Sequence, residues 1–258
     1  MTLKEVYNLP EGANVTFKFL PTFFDDVQED YPCPSSMERA FQYYGGSFVK
    51  RLDVSNVKNM SYMFYYARNI LAIDGLEDWD VSNVTHMNYL FNYCSELTSL
   101  DLSKWNTSNV TTMANIFYYC TKVKTIKMPT CNQDKLTSVD GIFRNCDALT
   151  SISAFRCDNV SISSYQGMFS SSEMPKLTDI GGFIGLKSSW TGSNYGLNKL
   201  PNLTYESCIN ILNGLYDFAG NGETPSGTQG QLKVHQNFLN IVGDEISIGT
   251  LKGWKITV

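Results

Sequence analysis

The stretch WDVSNVTHMNYLFNYCSELTSLDLSK, residues 79–104, is followed at once by WNTSNVTTMANIFYYCTKVKTIKMPT, residues 105–130. The two segments have the same length and align without a gap. The phenylalanine in the middle of each segment recurs along the chain at intervals of 23, 27, 26, 26 and 26 residues, as Phe41, Phe64, Phe91, Phe117, Phe143 and Phe169. A nearly constant period of this length is typical of a repeat protein.

Each repeat contains two patterns that predict secondary structure. Met113, Ile116, Phe117 and Cys120 stand at positions i, i+3, i+4 and i+7, which predicts a short helix with one apolar face. The alternation that ends at Leu100 and Leu102 and recurs in later repeats predicts a short strand with one buried face. The segments 81–84 and 107–110 predict a second short strand.

A unit of 26 residues cannot bury its apolar face alone, so successive units must stack. The sequence therefore predicts an α/β repeat solenoid, a leucine-rich-repeat-like right-handed stack of about five to six coils of 23–27 residues, each a short helix plus short strands, with caps at both ends. The periodicity ends near Leu186. We expect an N-terminal lead or cap at 1–36 that includes Val15–Phe19, repeats at 37–186, and a C-terminal helix-and-strand cap at 187–258.

Within that cap, residues 203–216 predict an amphipathic helix with Thr204 as its N-cap. A second helix is predicted at 244–252, ended by Gly253, and a last strand at 254–258. A loop is predicted at 187–196 and another at 221–230 from their composition.

Two polar columns recur at fixed distances before the repeat phenylalanine. Eleven positions before it stand Asp53, Asp80, Asn106, Asn132 and Asp158, whose short side chains are expected to close a turn by bonding the backbone two residues on. Eight positions before it stand Asn56, Asn83 and Asn109, which are expected to bond backbone groups of the adjacent coil. The second column stops at Lys135.

The composition excludes several classes of protein. The chain has 258 residues, 43% of them hydrophobic and only 17% charged, with 15 Tyr and 15 Phe. It is too apolar to be disordered, and a net charge of -5 gives no electrostatic basis for nucleic-acid binding. It has no run long enough for a transmembrane helix. No cofactor, metal site or catalytic residue is predicted, since His86 and His235 are the two histidines and no GxSxG, P-loop or HExxH motif occurs.

The repeats resemble the BspA-like leucine-rich repeats of bacterial surface proteins and their phage-encoded relatives. The resemblance rests on the run from Trp79 to Ser103, on its continuation from Trp105 to Phe117, and on the closing segments 203–207, 244–245 and 252–257. It spans roughly residues 37–258. It implies binding, adhesion or display and no common chemistry. It also implies a cell-surface or extracellular location, although the first ten residues lack the apolar segment of a signal peptide; a virion location is the alternative.

The strongest functional signal is a stripe of tyrosines beside the repeat phenylalanines. Rigid aromatic rings with a hydroxyl group are typical of protein interfaces and sugar platforms. The alternative is that these rings only cover the edge of the core. The stripe holds the positions two after the phenylalanine and, in alternate repeats, one after it: Tyr43, Tyr66, Tyr93 and Tyr119, with Tyr65 and Tyr118.

The exposed face of the strand ladder is a second candidate binding surface, because repeat proteins commonly bind along such extended faces. Its polar residues are equally explained by contact with water. The candidate residues are Thr98, Asp101, Lys124, Lys127 and Ser151.

The remaining motifs favour structural roles. The seven cysteines have no CxxC spacing, and we expect Cys94, Cys120 and Cys146, and likewise Cys131 and Cys157, to be reduced and packed in core columns. The acidic run 25–30 lacks the alternating ligands of a calcium loop and predicts a solvated loop.

We therefore expect a non-enzymatic recognition or adhesion module that binds a host or bacterial surface protein or glycan. The alternative is a phage virion protein, of the tail or receptor-associated kind, that binds other virion proteins. An enzyme of unknown class is a distant third.

Overall fold

The computed structural model describes residues 31–33, 35–45, 48–49, 52–129, 134–156, 167–169, 172–186, 197–225 and 230–258. Short parallel strands connect neighbouring repeats through equivalent residues. The strands are β1 (Tyr31–Pro32), β2 (Phe48–Val49), β3 (Leu52–Asp53), β4 (Ala72–Ile73), β5 (Ser99–Asp101), β6 (Thr125–Lys127), β7 (Ser151–Ile152), β8 (Phe155–Arg156), β9 (Asp179–Ile180), β10 (Phe183–Ile184), β11 (Gln231–Lys233) and β12 (Lys255–Thr257).

The longest sheet has the order β5-β6-β7-β9. Its register places Leu100 beside Ile126, Ile126 beside Ile152, and Ile152 beside Ile180. All four side chains are buried, as the alternating pattern predicts for one face of each strand. A second ladder of single parallel bridges runs through five repeats and joins Ser36, Asn59, His86, Thr112 and Ser138.

The segment around each repeat phenylalanine is not the short helix that its apolar spacing predicts. In the described residues of the repeats it consists of consecutive hydrogen-bonded turns. The amides of Met63, Tyr65 and Ala67 each donate to the carbonyl three residues before them. The intervening amides leave the segment: those of Tyr62 and Phe64 donate to the carbonyls of Asn88 and Leu90, at 2.8 and 2.9 Å.

This arrangement replaces the helix for a physical reason. An α-helix needs every amide for its own i→i−4 ladder, whereas here every second amide connects to the next repeat. The predicted burial is nevertheless confirmed, since Met113, Ile116, Phe117 and Cys120 are all buried. We call these segments, at residues 37–44, 60–67, 87–94, 113–120 and 139–146, the turn segments.

The second predicted strand is also wrong in the described repeats. Residues 81–84 and 107–110 form turns, in which the amide of Val84 donates to the carbonyl of Val81 and that of Val110 to Thr107, both at 2.9 Å. Their apolar ends are buried because the turn directs both inward.

Aromatic columns fill the core between repeats. Phe117 lies between Phe91 and Phe143, with ring centroids 6.1 and 6.0 Å away and nearly parallel planes. Trp79 stacks on Trp105 in the same manner at 6.1 Å. All six repeat phenylalanines have fully buried side chains.

The described members of the first polar column perform the predicted role, and so do Asn83 and Asn109 of the second. Asp53, Asp80 and Asn106 accept from the amide two residues on, at 3.0, 3.0 and 3.3 Å. The Asn83 amide group donates to the carbonyl of Ser55, and that of Asn109 donates to Ser82, both at 2.8 Å. Where the column stops, Lys135 donates instead to Oδ1 of Asn109 at 2.6 Å.

The C-terminal part contains the three helices α1 (Tyr205–Gly214), α2 (Gln236–Val242) and α3 (Ser247–Leu251), with a 3₁₀ turn at Gly243–Ile246. The predicted N-cap is confirmed, since the Thr204 side chain accepts from the amide of Ser207. The predicted second helix begins earlier and is interrupted, because Gly243 ends α2. Ser207 fixes α1 against β9 by accepting from the amide of Ile180 at 2.9 Å. No helix of the described part has the length and apolar character needed to cross a membrane.

Several predictions lie outside the described residues. These are the strand-like run at 15–19, the acidic run at 25–30, the loop at 187–196, the turn-closing residues Asn132 and Asp158, and the core column of Cys131 and Cys157.

Candidate functional site

The turn segments place a contiguous group of eight tyrosine side chains along one edge of the stacked repeats. We call this group the tyrosine surface. It contains more than half of the 15 tyrosines in the chain. Its members are Tyr43, Tyr62, Tyr65, Tyr66, Tyr89, Tyr93, Tyr118 and Tyr119.

Two rows of stacked rings form the surface. In the longer row Tyr66 stacks on Tyr93 with centroids 4.1 Å apart, and Tyr93 stacks on Tyr119 at 4.4 Å. Tyr43 continues that row in a tilted orientation, 5.6 Å from Tyr66. In the shorter row Tyr62 stacks on Tyr89 at 4.6 Å.

Tyr65 joins the two rows. Its ring lies 5.4 Å from Tyr62 on one side and 4.6 Å from Tyr66 on the other. Tyr118 contacts Tyr119 at 4.8 Å in an edge-to-face orientation. Tyr43 is 53% exposed, and the other seven tyrosines are partly buried, so their rings form a dense surface layer rather than separate side chains.

Six of these tyrosines have left-handed backbone conformations, with φ between 58° and 62° at Tyr43, Tyr62, Tyr66, Tyr89, Tyr93 and Tyr119. This conformation is unfavourable for a residue with a bulky side chain and costs about 1–2 kcal/mol at each position. Equivalent positions in later repeats have Asn115, Gly141 and Asn145, the residue types that tolerate it best. The tyrosines are therefore kept where the backbone alone would favour asparagine or glycine. Strain retained at one surface is a recognised mark of function.

Arginine side chains lie over this surface. The Arg39 guanidinium is 4.4 Å from the Tyr62 ring centroid. Arg68 lies 4.8 Å from Tyr66 and 5.6 Å from Tyr93, and Arg144 lies 5.9 Å from Tyr118. Each of these contacts is within the range of a cation–π interaction.

The ionisation of the tyrosines reflects their dense packing. Burial raises the pKa of Tyr65 and of Tyr89, and neighbouring tyrosines raise both further. Burial and a hydrogen bond with Tyr66 raise the pKa of Tyr93. The hydroxyl groups of these three residues therefore stay protonated through the physiological range and remain able to donate hydrogen bonds.

All six tyrosines that the sequence analysis selected lie on this surface, and the structure brings them into contact. Tyr62 and Tyr89 were not predicted from the sequence, and neither were the three arginines. Tyr62 and Tyr89 stand two positions before the repeat phenylalanine, so the alignment of the repeats contained the signal. It was hidden because Asn115 and Gly141 replace tyrosine at that position in the next two repeats.

The strand-face residues form a separate group, in which ionic groups already pair with one another. Lys127 donates to Asp101 at 2.7 Å, and this bond with those from Ser103 lowers the pKa of Asp101 to about 2. Thr98 and Lys124 are exposed, and Ser151 is partly buried beside Thr125 in the sheet. The Lys127–Asp101 pair of this face is therefore already satisfied within the protein.

An acidic groove of about 630 Å³ lies between the first repeats and is lined by Asp53, Asp74, Glu77, Asp78 and Asp80. Three of these carboxylates already have protein partners. Asp53 and Asp80 close turns, and Asp78 accepts from Lys104 at 2.6 Å. Within the described residues no group of three or more His, Cys, Asp or Glu side chains is arranged to hold a metal ion.

The cysteines of the turn segments are structural. Cys94, Cys120 and Cys146 are buried and donate to the carbonyls of Phe64, Phe91 and Phe117 at 3.1–3.2 Å. Burial raises the pKa of all three thiols. Since the thiolate is the reactive form, these side chains are not suited to nucleophilic chemistry.

One family model matches the repeats. It is described as "Mycoplasma protein of unknown function, DUF285", and it matches residues 35–155 and, in a second alignment, residues 72–179. Together the two alignments cover residues 35–179, more than half of the 258 residues. They include every turn segment and therefore the whole tyrosine surface. No curated protein sequence matches the chain.

Proposed function

Since the chain belongs to the DUF285 family, whose function is not known, we propose from its surface chemistry that it is a non-enzymatic recognition or adhesion module. In this proposal the repeats form a BspA-like, leucine-rich-repeat-like solenoid, and the tyrosine surface is its binding face. Such a module would act at the cell surface or outside the cell.

A single observation carries the proposal: eight tyrosines are in mutual contact along one edge, and six of them occupy backbone positions that disfavour tyrosine. The turn segment needs the left-handed conformation, and asparagine or glycine adopts it at a lower free energy cost, as at Asn115, Gly141 and Asn145. The free energy cost of tyrosine is explained if the ring and hydroxyl group serve a partner. Tyrosine is suited to that role because it supplies a large rigid contact area with a polar group at its tip.

Recognition is favoured over catalysis by the chemistry of the surface. It consists of aromatic rings, hydroxyl groups and guanidinium groups. Tyrosine hydroxyl groups titrate well above physiological pH, and the pKa of Tyr65, Tyr89 and Tyr93 is raised further. Groups of this kind hold a partner by packing and hydrogen bonds, whereas general acid–base catalysis needs a group that titrates near the working pH.

The test is a binding screen with the purified full chain on arrays of bacterial and host surface proteins and glycans. We expect ligands that bind the wild type and are lost by the double variant Tyr65→Ala, Tyr118→Ala. The matched control is Lys124→Ala with Lys127→Ala on the strand face, which should retain binding. Urea unfolding curves of both variants must show a cooperative transition, so that a loss of binding is not a loss of folding.

Two results would contradict the proposal. Ligands that bind the tyrosine variant as tightly as the wild type would exclude the tyrosine surface as the binding face. A chain that binds none of the arrayed ligands but assembles with itself, as seen by light scattering, would instead favour the virion role.

A further inference from the structure

We propose that the partner of the tyrosine surface is a protein with an acidic segment, and that Arg68 receives one of its carboxylates. This inference rests on the proposed function and adds to it the chemical class of the partner and the residue that selects it.

The first support is the charge composition of the surface. The turn segments contain arginine and tyrosine but no lysine. Protein–protein binding hot spots have the same bias, with tyrosine and arginine enriched and lysine depleted. The turn segments also contain two carboxyl groups. One belongs to Glu38, whose Oε1 lies 3.7 Å from Nε of Arg39. The other, Asp140, is close enough to Tyr89 to affect its ionisation.

Arg68 differs from Arg39. Arg39 is held by Glu38 and Gln42, whereas the exposed Arg68 guanidinium has contacts with the rings of Tyr66 and Tyr93 and with no carboxylate of the described residues. These cation–π contacts hold the guanidinium beside the rings. A guanidinium held in that way is preorganised for bidentate binding of a carboxylate.

The stacking of the rings favours a protein over a glycan. A sugar stacks its electropositive C–H groups on the electronegative face of an aromatic ring. In the longer row Tyr93 has a stacked ring on each face, with Tyr66 at 4.1 Å and Tyr119 at 4.4 Å. A ring stacked in this way offers a partner its edge, which is electropositive, and the surface adds hydroxyl donors and Arg68. All three attract acceptor-rich, negatively charged groups.

The test uses a random peptide library displayed for selection against the folded full chain, followed by calorimetry of the selected peptides. We expect enrichment of peptides that contain Asp or Glu beside apolar residues. Arg68→Gln should weaken their binding by about tenfold or more, and Arg68→Lys should weaken it less, because lysine keeps the charge but loses the planar fork. Lys104→Gln, which removes a cation away from the surface, is the matched control and should have no effect.

Other results overturn the inference in distinguishable ways. The first such result would be peptides that bind the wild type but not the double variant Tyr66→Asn, Tyr93→Asn, that show no acidic bias, and that bind Arg68→Gln as tightly as the wild type. That result would contradict this inference but not the proposed function. Peptides that bind the tyrosine variant as tightly as the wild type would contradict both this inference and the proposed function. Binding of polygalacturonate through Arg68, without selection of any peptide, would identify the partner as an acidic glycan and contradict the protein assignment.

Discussion

At the scale of single residues, the cysteines show how position decides chemistry. Cys33 and Cys208, like the three cysteines of the turn segments, are buried in the core. Burial raises the pKa of Cys33 and of Cys208 to about 12. Each of these thiols stays protonated in the folded chain at a pH where an exposed thiol would ionise.

This difference predicts how stability changes with pH. An exposed thiol has a pKa of about 8.5, so above that pH the unfolded chain binds fewer protons than the folded chain, and the free energy of unfolding falls. The stabilisation is fully present below pH 8.5 and is lost as pH rises. Between pH 8.0 and 9.5 each such thiol should account for a loss of about 1 kcal/mol.

Urea unfolding at the two pH values measures this loss. Cys120→Ala removes one buried thiol, so its free energy of unfolding should fall by about 1 kcal/mol less than that of the wild type over the same interval. Equal losses in the two proteins would mean that Cys120 ionises in the folded state as freely as in the unfolded one.

At the scale of the element, the turn segment depends on its left-handed residues. They direct every second amide to the neighbouring repeat, as at Tyr93, whose amide donates to the carbonyl of Tyr118 at 2.8 Å. The segment thereby satisfies its backbone without a helix, and the repeat phenylalanine between the two left-handed positions points inward.

A pair of substitutions at one left-handed position tests this account. Both Tyr93→Ala and Tyr93→Asn remove the ring stacking, but asparagine tolerates φ of 62° better than alanine does. We therefore expect Tyr93→Asn to have a free energy of unfolding about 1 kcal/mol higher than Tyr93→Ala. Denaturation in urea gives both values.

The neighbouring Tyr65 supplies the control, since it lies between the left-handed positions of its own turn segment. There Tyr65→Asn should have no advantage over Tyr65→Ala. If asparagine were the less stable choice at Tyr93 as well, the left-handed conformation would not be what limits that position.

At the scale of the whole molecule, equivalent residues of successive repeats are neighbours. The interval of 26 residues appears in the pairing of Leu100 with Ile126 and in the stacking of Phe91 on Phe117. Contacts of a repeat are therefore made mostly with the repeats before and after it. This geometry supports the proposal of a solenoid, in which stability is a sum of such neighbour contacts.

Deletion of one full period tests that proposal. Removal of residues 95–120 joins Cys94 to Thr121 and leaves every column aligned. We expect the shortened chain to fold cooperatively with a lower free energy of unfolding, measured by circular dichroism in urea. Removal of residues 95–107 alone shifts all later columns by half a period, and that chain should not fold. Equal behaviour of the two deletions would contradict the repeat-by-repeat packing.

The sequence by itself determined the period, the buried columns, the side chains that close the turns, and the N-cap at Thr204. These features follow from chemistry that is local or recurs at a constant interval, so one copy of the repeat helps to interpret the next. It predicted six residues of the tyrosine surface for the same reason.

The tertiary structure alone decided the conformation of the turn segments and the extent of the surface. Apolar residues at i, i+3, i+4 and i+7 face inward both in a helix and in a series of turns. Which of the two conformations forms depends on whether alternate backbone amides donate within the segment or to the neighbouring repeat. Arg68 joins the surface because the packing of the repeats brings it beside Tyr93, which is 25 residues away in the chain. Contacts between different residue types in adjacent repeats leave no periodic signal, so only packing reveals them.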